Sequence, residues 1–314
     1  MQRFQHILFV SHGAKDDLNT AKQAIILANE NQAHLSILLM CPEFPAILDA
    51  YKDAYQQSLV NDFNIKMTAI QQELGLTEHA HKLEIQFDGN RPEATQIVQR
   101  VLEGQYDLLI KAAESNAKNI GFKALDMDLI RKCPCPVWLH RSTTTTFNEA
   151  KFAVAIDPES AEASGRDLAI KLLKMADLLT KEHHNPLSII SCWDYALENT
   201  IRNSPFIDIP EDHILNMVHE VEVSHRRALD SVLKKVNLNS NHPLYHQRGI
   251  PDQVIPELIT KLKIDVLVMG TVGRTGIPGF IIGNTAENVL QKISCSLLAL
   301  KPDGYVSPVS SYRV

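Results

Sequence analysis

The residues best suited to chemistry lie near the end of the chain, in Gly270-Thr-Val-Gly273-Arg274-Thr-Gly-Ile-Pro-Gly-Phe-Ile-Ile-Gly283-Asn284-Thr285. This segment directly follows an apolar run, Ile264 to Met269, and directly precedes a stretch of helical period, Ala286 to Ile293. A strand that breaks into glycines and re-enters as a helix presents free backbone N–H groups beside a positive helix end, which is a cradle for phosphate. Gly270 and Gly273 would let the main chain approach a phosphate closely, and Gly283 would free the amides of the following helix. Arg274 could add charge to the same phosphates, a solvated loop arginine being its plain alternative. The glycines run G-x2-G-x9-G. A Walker loop needs Gly-Lys-Ser/Thr at the turn and a dinucleotide fingerprint needs G-x-G-x-x-G, so neither fits.

Little else in the chain suggests chemistry. There is no nucleophile and base at recognisable spacing, no HExxH and no carboxylate pair at an expected strand end, so designed catalysis is not indicated. Slow hydrolysis by a bound water stays open. The five cysteines, Cys41, Cys133, Cys135, Cys192 and Cys295, form no repeated CxxC pair and are expected to act as small buried hydrophobes. Cys133-Pro-Cys135 lacks the two further ligands a metal site would need. His183-His184 stands in a polar stretch and is expected to be a solvated turn.

An internal repeat sets the architecture that must position the glycine loop. Leu35-Ser-Ile-Leu-Leu-Met40 returns 152 positions later as Leu187-Ser-Ile-Ile-Ser-Cys192, Asp107-Leu-Leu-Ile110 returns as Asp265-Val-Leu-Val268, and Cys135 returns as Cys295. Matched signals in one order mean a duplicated domain. Within each copy short apolar runs alternate with helical stretches, the pattern of parallel strands joined by crossover helices. The expected strands are Ile7 to Ser11, Leu35 to Met40, Leu83 to Phe87, Leu108 to Lys111 and Pro136 to His140. The second copy repeats them at Phe152 to Ile156, Leu187 to Cys192, Leu244 to Gln247, Val266 to Met269 and Leu297 to Leu300. The fold class is therefore α/β, two tandem doubly wound, five-stranded parallel-sheet domains, spanning residues 1–143 and 149–302, with a surface or mobile tail at 303–314.

Asn90-Arg-Pro92 and Gly249-Ile-Pro251 are expected to open helices. Two long insertions after the second strands carry helical stripes, Tyr51, Tyr55, Leu59, Phe63, Met67, Ile70 and Leu74 in one, and Ile214, Val218, Val221, Leu229, Val232 and Val236 in the other. Packing against their own sheets is the expected use, with His225 a hydrogen-bonded interior residue. The polar run Arg141 to Asn148 suits a linker.

The G-x2-G-x9-G loop resembles the nucleotide loop of the universal stress protein family, with Asn284 standing where the family has Ser or Thr and Thr285 following with a hydroxyl. The resemblance covers both copies and is supported by Asp157-Pro-Glu-Ser160, by Gly249-Ile-Pro251 and by the closing strand Cys295 to Lys301. It implies the tandem type of that family, with ATP or a related adenine nucleotide, with or without Mg, held in the second copy. Asp157 would lie near base and ribose, and Gly270, Gly273, Gly283, Asn284 and Thr285 near the phosphates, with Gly249 and Arg274 counted among the residues that bind the nucleotide. In the first copy His12 replaces Asp157, and Ala112, Ser115 and Lys123 replace the three glycines, so that copy is expected to have lost the site. The family also associates through its last strands. Val137-Trp-Leu139 and Leu297-Leu-Ala-Leu300 are thus expected to pair within one chain as a pseudo-dimer, with a further homodimer open.

Composition narrows the partners. At 314 residues and 45% apolar content the chain can bury two cores, and its net charge of −6, pI near 6.1 and scattered basic residues argue against nucleic acid and anionic membrane. Without a signal-peptide core or a spanning stretch, a cytoplasmic protein is expected. The expected function is a stress-response binder of a regulatory nucleotide, the alternative being a nucleotide-free scaffold or a carrier of a partly apolar ligand.

Overall fold

The computed structural model describes residues 4–13, 17–41, 45–76, 82–87, 93–114, 120–143, 145–160, 163–181, 185–204, 209–238, 242–271 and 282–309. Parallel strands are buried on both faces, so they need near-continuous apolar runs, and these runs form the sheet. The first half contains β1 (His6–Ser11), α1 (Asp17–Asn31), β2 (His34–Cys41), α2 (Lys52–Glu73), β3 (Lys82–Phe87), α3 (Glu93–Gly104), β4 (Leu108–Ala112), α4 (Ala124–Lys132) and β5 (Val137–His140). The second contains β6 (Phe152–Ala155), α5 (Ala163–Lys181), β7 (Leu187–Trp193), α6 (Glu198–Arg202), α7 (Glu211–Val236), β8 (Leu244–Arg248), α8 (Pro251–Leu262), β9 (Val266–Gly270), α9 (Asn284–Leu290) and β10 (Ser296–Leu300). Every expected strand is present to within one residue at either end.

The ten strands form one continuous sheet in the order β3-β2-β1-β4-β5-β10-β9-β6-β7-β8. All neighbours are parallel except at the centre, where β5 and β10 run antiparallel with Trp138 opposite Leu298 and Leu139 opposite Leu297. The expected pairing of the two last strands is thus the join between the copies. Alternation along each strand sends side chains to two cores. Ile7 and Phe9 pack with α1, α2, α5 and α7 on one face, while Leu8 and Val10 pack with α3, α4, α8 and α9 on the other. No helix among the described residues is long and apolar enough to cross a membrane.

One expectation needs correction. The stripe on α2 packs on the sheet only from Leu59 onward, Phe63, Met67 and Ile70 being buried, whereas Tyr51 and Tyr55 are 66% and 42% exposed. A helix of 22 residues reaches about 33 Å, farther than a six-residue strand of roughly 20 Å, so its first turns outrun the surface they would cover. The stripe on α7 packs as expected, with Ile214, Val218, Leu229 and Val232 buried.

The tail after Lys301, whose described part runs to Val309, lies at the surface, one of the two expected states, and is tied down there. Tyr305 OH donates to the Arg131 carbonyl, Ser307 Oγ donates to the Lys132 carbonyl at 2.7 Å, and Lys301 Nζ donates to the Cys133 carbonyl. Lys171 Nζ holds Asp303 at 2.6 Å, and Val309 packs against the core. The reason is the end of α4: the last carbonyls of a helix have no partner within it, and the tail of the second copy supplies donors to the first. Burial holds Lys301 at a pKa of about 8, below the usual lysine range. Cys133, Cys135 and Cys295 are buried free thiols, as expected, and burial pushes Cys295 up to about 12.

The linker run is anchored at its far end. Phe147 is buried edge-on against Phe152 at 5.8 Å, and Asn185 Nδ2 donates to the carbonyls of Phe147 and Ala150 at 2.8 and 2.9 Å. At the end of β5, His140 Nδ1 meets Thr20 Oγ1 at 3.0 Å, and burial lowers its pKa to about 4. Because its folded pKa lies below the unfolded value of about 6.5, the stability His140 contributes is full above pH 6.5 and falls as pH drops toward 4. Urea denaturation should show up to about 3 kcal/mol lost over that window from this residue alone. In His140→Gln the same acid limb should be flatter; an unchanged limb would mean that His140 titrates normally.

Candidate functional site

In the second half β6 lies between β7 and β9, with the chain proceeding from β6 to one side and returning on the other. Strand order reverses at this point, and a crevice opens beyond the carboxyl ends of β6 and β9, where open parallel sheets bind ligands. The crevice is a cavity of about 710 Å³, a size that suits a small organic ligand. Four expected site residues line it, Asp157, Gly270, Gly283 and Thr285.

Each of the four is placed by local chemistry. Asp157 follows β6 at the exposed lip, and its Oδ1 accepts the Glu159 N–H at 3.0 Å, which makes the turn that turns the chain toward α5. Gly283 is the N-cap of α9, with φ −60° and ψ 138°, and it has no side chain to cap the first-turn amides of that helix. Its own N–H donates to the Thr271 carbonyl at 3.1 Å, so the amides left for a ligand are those of the first turn after it. A Cβ at Gly283 would meet nothing within 4 Å, so it faces open space in the crevice. Thr285 stands on the first turn of α9 with its residue on the crevice wall.

Other expected residues take different places. A Cβ at Gly270 would come within 2.7 Å of Leu168 Cδ2, so its smallness lets α5 pack on β9 at the crevice wall. Gly249 adopts φ +135° and donates its N–H to the Trp193 carbonyl at 2.8 Å, so it makes the turn into α8 and does not line the crevice. Pro251 is the first residue of that helix, as expected, and does line it. Asn284 opens α9 away from the lining. Gly273 and Arg274 lie outside the described residues, as do Asn90-Arg-Pro92, Ser115 and His183-His184.

Trp193, Asp194, Thr271 and Ile255 also form the walls, and sequence reasoning missed them. The rule that strand ends face the crevice would have found Trp193 and Asp194, had β7 been taken one residue farther. His225 is an interior hydrogen-bonded histidine, as expected, but it lines the crevice too.

The equivalent place in the first half is built differently. Lys111, Glu114 and Asp126 stand where the second copy has Met269, Val272 and Ala286. Lys111 Nζ lies 3.1 Å from Asp126 Oδ1, both side chains essentially buried, and also donates to the Ala112 carbonyl at 2.9 Å. Asp126 Oδ2 accepts the Glu114 N–H at 2.8 Å, and Glu114 Oε2 accepts the Leu125 N–H at 3.2 Å on the first turn of α4. A carboxylate of the chain thus caps the helix end that would otherwise face a phosphate. Above it His12 pairs with Glu93, whose pKa is lowered by that hydrogen bond against the opposing effect of burial. Lys123, expected to obstruct the cradle, is exposed. The first copy fills its cradle with its own anions.

Comparison with known proteins shows the lineage. A profile of the Universal stress protein family matches residues 151–301. Universal stress protein E of Escherichia coli strain K12 is 32% identical over 223 residues, covering 70% of this chain and 68% of that protein. The chain belongs to the universal stress protein family. Universal stress protein E of Photorhabdus laumondii is 26% identical over 321 residues, the full length of both. Among solved structures, one from Pseudomonas aeruginosa UCBPP-PA14 described as a universal stress protein has a TM-score of 0.70 at 25% identity, covering 96% of this chain and 95% of that one. A universal stress protein from Archaeoglobus fulgidus, at 13% identity and a TM-score of 0.61 over 96% and 98% of the two chains, shares the fold. Family membership supports a role in stress response.

The two universal stress halves differ most in this buried ion pair, which gives a direct test. Asp126→Ala leaves Lys111 buried without its counter-charge and should cost about 3–5 kcal/mol of unfolding free energy. Lys111→Met/Asp126→Ala, which copies the second half at both positions, should recover most of that loss in the same urea titration. Additive losses in the double variant would show that the two groups do not act as a pair.

Proposed function

We propose that the second universal stress domain, 149–302, binds ATP or a related adenine nucleotide as a regulatory ligand, and that the first, 1–143, is its structural partner in a cytoplasmic pseudo-dimer. The observation that carries this reading is the contrast between the halves: among the described residues no side chain bonds the first-turn amides of α9 beside the 710 Å³ crevice, whereas in the first half Glu114 caps the equivalent end. Asp157 would accept from ribose hydroxyls at the lip. The first-turn amides of α9 and the Thr285 hydroxyl would hold phosphate oxygens. Asp157, Glu159 and Asp194 put negative charge at the opposite end of the crevice, which keeps phosphates at the α9 end. Among the described residues no group of three or more His, Cys, Asp or Glu could hold a metal, so a Mg ion would travel on the phosphates.

A bound nucleotide would act by biasing conformation or partner choice, without turnover. The crevice also has an apolar floor of Leu168, Leu172, Ile255 and Met269, which suits an adenine ring and supports a second reading, a carrier of a partly apolar ligand.

Isothermal titration of the full chain with ATP should show one site. Gly283→Glu places a carboxylate in open space beside the phosphates and should abolish binding with an unchanged thermal midpoint, because neither its φ nor its surroundings require glycine. Equal binding by both proteins, or none by the unaltered chain, sinks the nucleotide reading. Native mass spectrometry that finds a co-purified acylated molecule would favour the carrier.

A further inference from the structure

His225 is the chemical group in the crevice that nothing above puts to use. It projects from α7, the inserted helix of the second half, is 3% exposed and lines the cavity. Its Nδ1 lies 2.9 Å from Nε2 of His246 on β8, and the two rings stack with centroids 5.0 Å apart at 22°. His246 stacks in turn on Trp193, at 6.0 Å and 25°, and the Arg248 guanidinium lies 5.6 Å from the centroid of the same indole. This ladder fixes the plane of the His225 ring. The remaining nitrogen, Nε2, is buried, and no group among the described residues meets it with hydrogen-bonding geometry. The Cys192 main chain approaches the ring and favours a proton on it. Buried polar atoms left without a partner are rare in native proteins, and in a ligand crevice the missing partner is naturally the ligand.

The proton can be placed. Burial lowers the pKa of both histidines, so near neutral pH the pair is uncharged and shares one N–H···N bond. Asp157 and Glu159 act on His225 from the loop after β6, while Glu222, Asp230 and Arg226 act on His246 from α7. Asp157, Glu159 and the Cys192 main chain all favour a proton on the His225 ring, and its Nδ1 is already engaged by His246. The arrangement of least repulsion has His246 donating from Nε2 to His225 Nδ1, and His225 carrying its own proton on Nε2.

We propose that His225 is a specificity-determining residue of the crevice, donating from Nε2 to an acceptor on the nucleoside portion of the bound nucleotide, with His246 the positioning residue that fixes its tautomer. This rests on the nucleotide reading above. The nucleoside end is assigned because His225 sits with Asp157 and Cys192, whereas Gly283 and Thr285 hold the other end. The contact is therefore felt by a ligand that has no phosphate at all.

The test uses the full chain at pH 7.5, titrated calorimetrically with ATP and with adenosine. His225→Leu should weaken both by the same factor, about tenfold, the loss of one buried hydrogen bond. His225→Gln, which keeps an N–H donor, should recover part of it, and Gly283→Glu should weaken ATP alone. Nitrogen-15 correlation spectra should show His225 protonated at Nε2 and bare at Nδ1 in the unaltered protein, with His246→Phe mixing the tautomers and weakening both ligands several-fold. If ATP binds the unaltered chain and His225→Leu binds it equally well, or if His225 carries its proton on Nδ1, the assignment is overturned while the nucleotide site stands. If the unaltered chain binds neither ligand, both fall. Should His225→Leu fail to fold, the Gln variant and the spectra decide.

Discussion

The antiparallel pairing of β5 with β10 is the constraint on which the rest depends. A doubly wound half ends on a strand whose outer edge carries unpaired peptide groups, and such an edge invites association with another chain. Duplication solves the problem internally, because each copy supplies the partner for the other. Trp138 and Leu298 meet across the join with no measurable exposure, so the two copies share a core as well as a sheet. Among the described residues β3 and β8 remain as the edges. The second half's crevice stands on strands held rigid from the central side by this join.

Duplication also relaxes the demand on the first cradle. The equivalent place in the first copy is a structural element held by Lys111, Asp126 and Glu114. A buried ion pair is a poor source of stability compared with apolar packing, since both charges must leave water. Its value here is geometric: the carboxylates satisfy main-chain N–H groups that a ligand would otherwise have to satisfy. The same peptide architecture is thus completed from within in one copy and left open in the other.

The sheet was legible in the sequence because parallel strands must be apolar on both faces, and the repeat doubled every signal. The join, at Val137 to Leu139 and Leu297 to Leu300, came only through the family resemblance. The crevice was legible only in part. Asp157, Gly283 and Thr285 belong to a local pattern, whereas Trp193, Thr271 and His225 come together from strands and an inserted helix far apart in the chain. The contact of Gly270 with Leu168 and the turn at Gly249 could not be read, since a sequence records a missing side chain but not what crowds it. The filled cradle was hidden for a similar reason: nothing local marks Glu114 and Asp126, which folding brings to one helix end. The anchoring of the tail was hidden because its polarity serves carbonyls that only the folded first half exposes.

Those carbonyls bear on how the molecule is made. The final turn of α4 is synthesised long before Lys301, Tyr305 and Ser307, which close it. As the nascent chain emerges, the first half must wait with an open helix end and an unpaired β5 until translation of the second is complete. Completion of the earlier copy is thus the last step of assembly rather than the first.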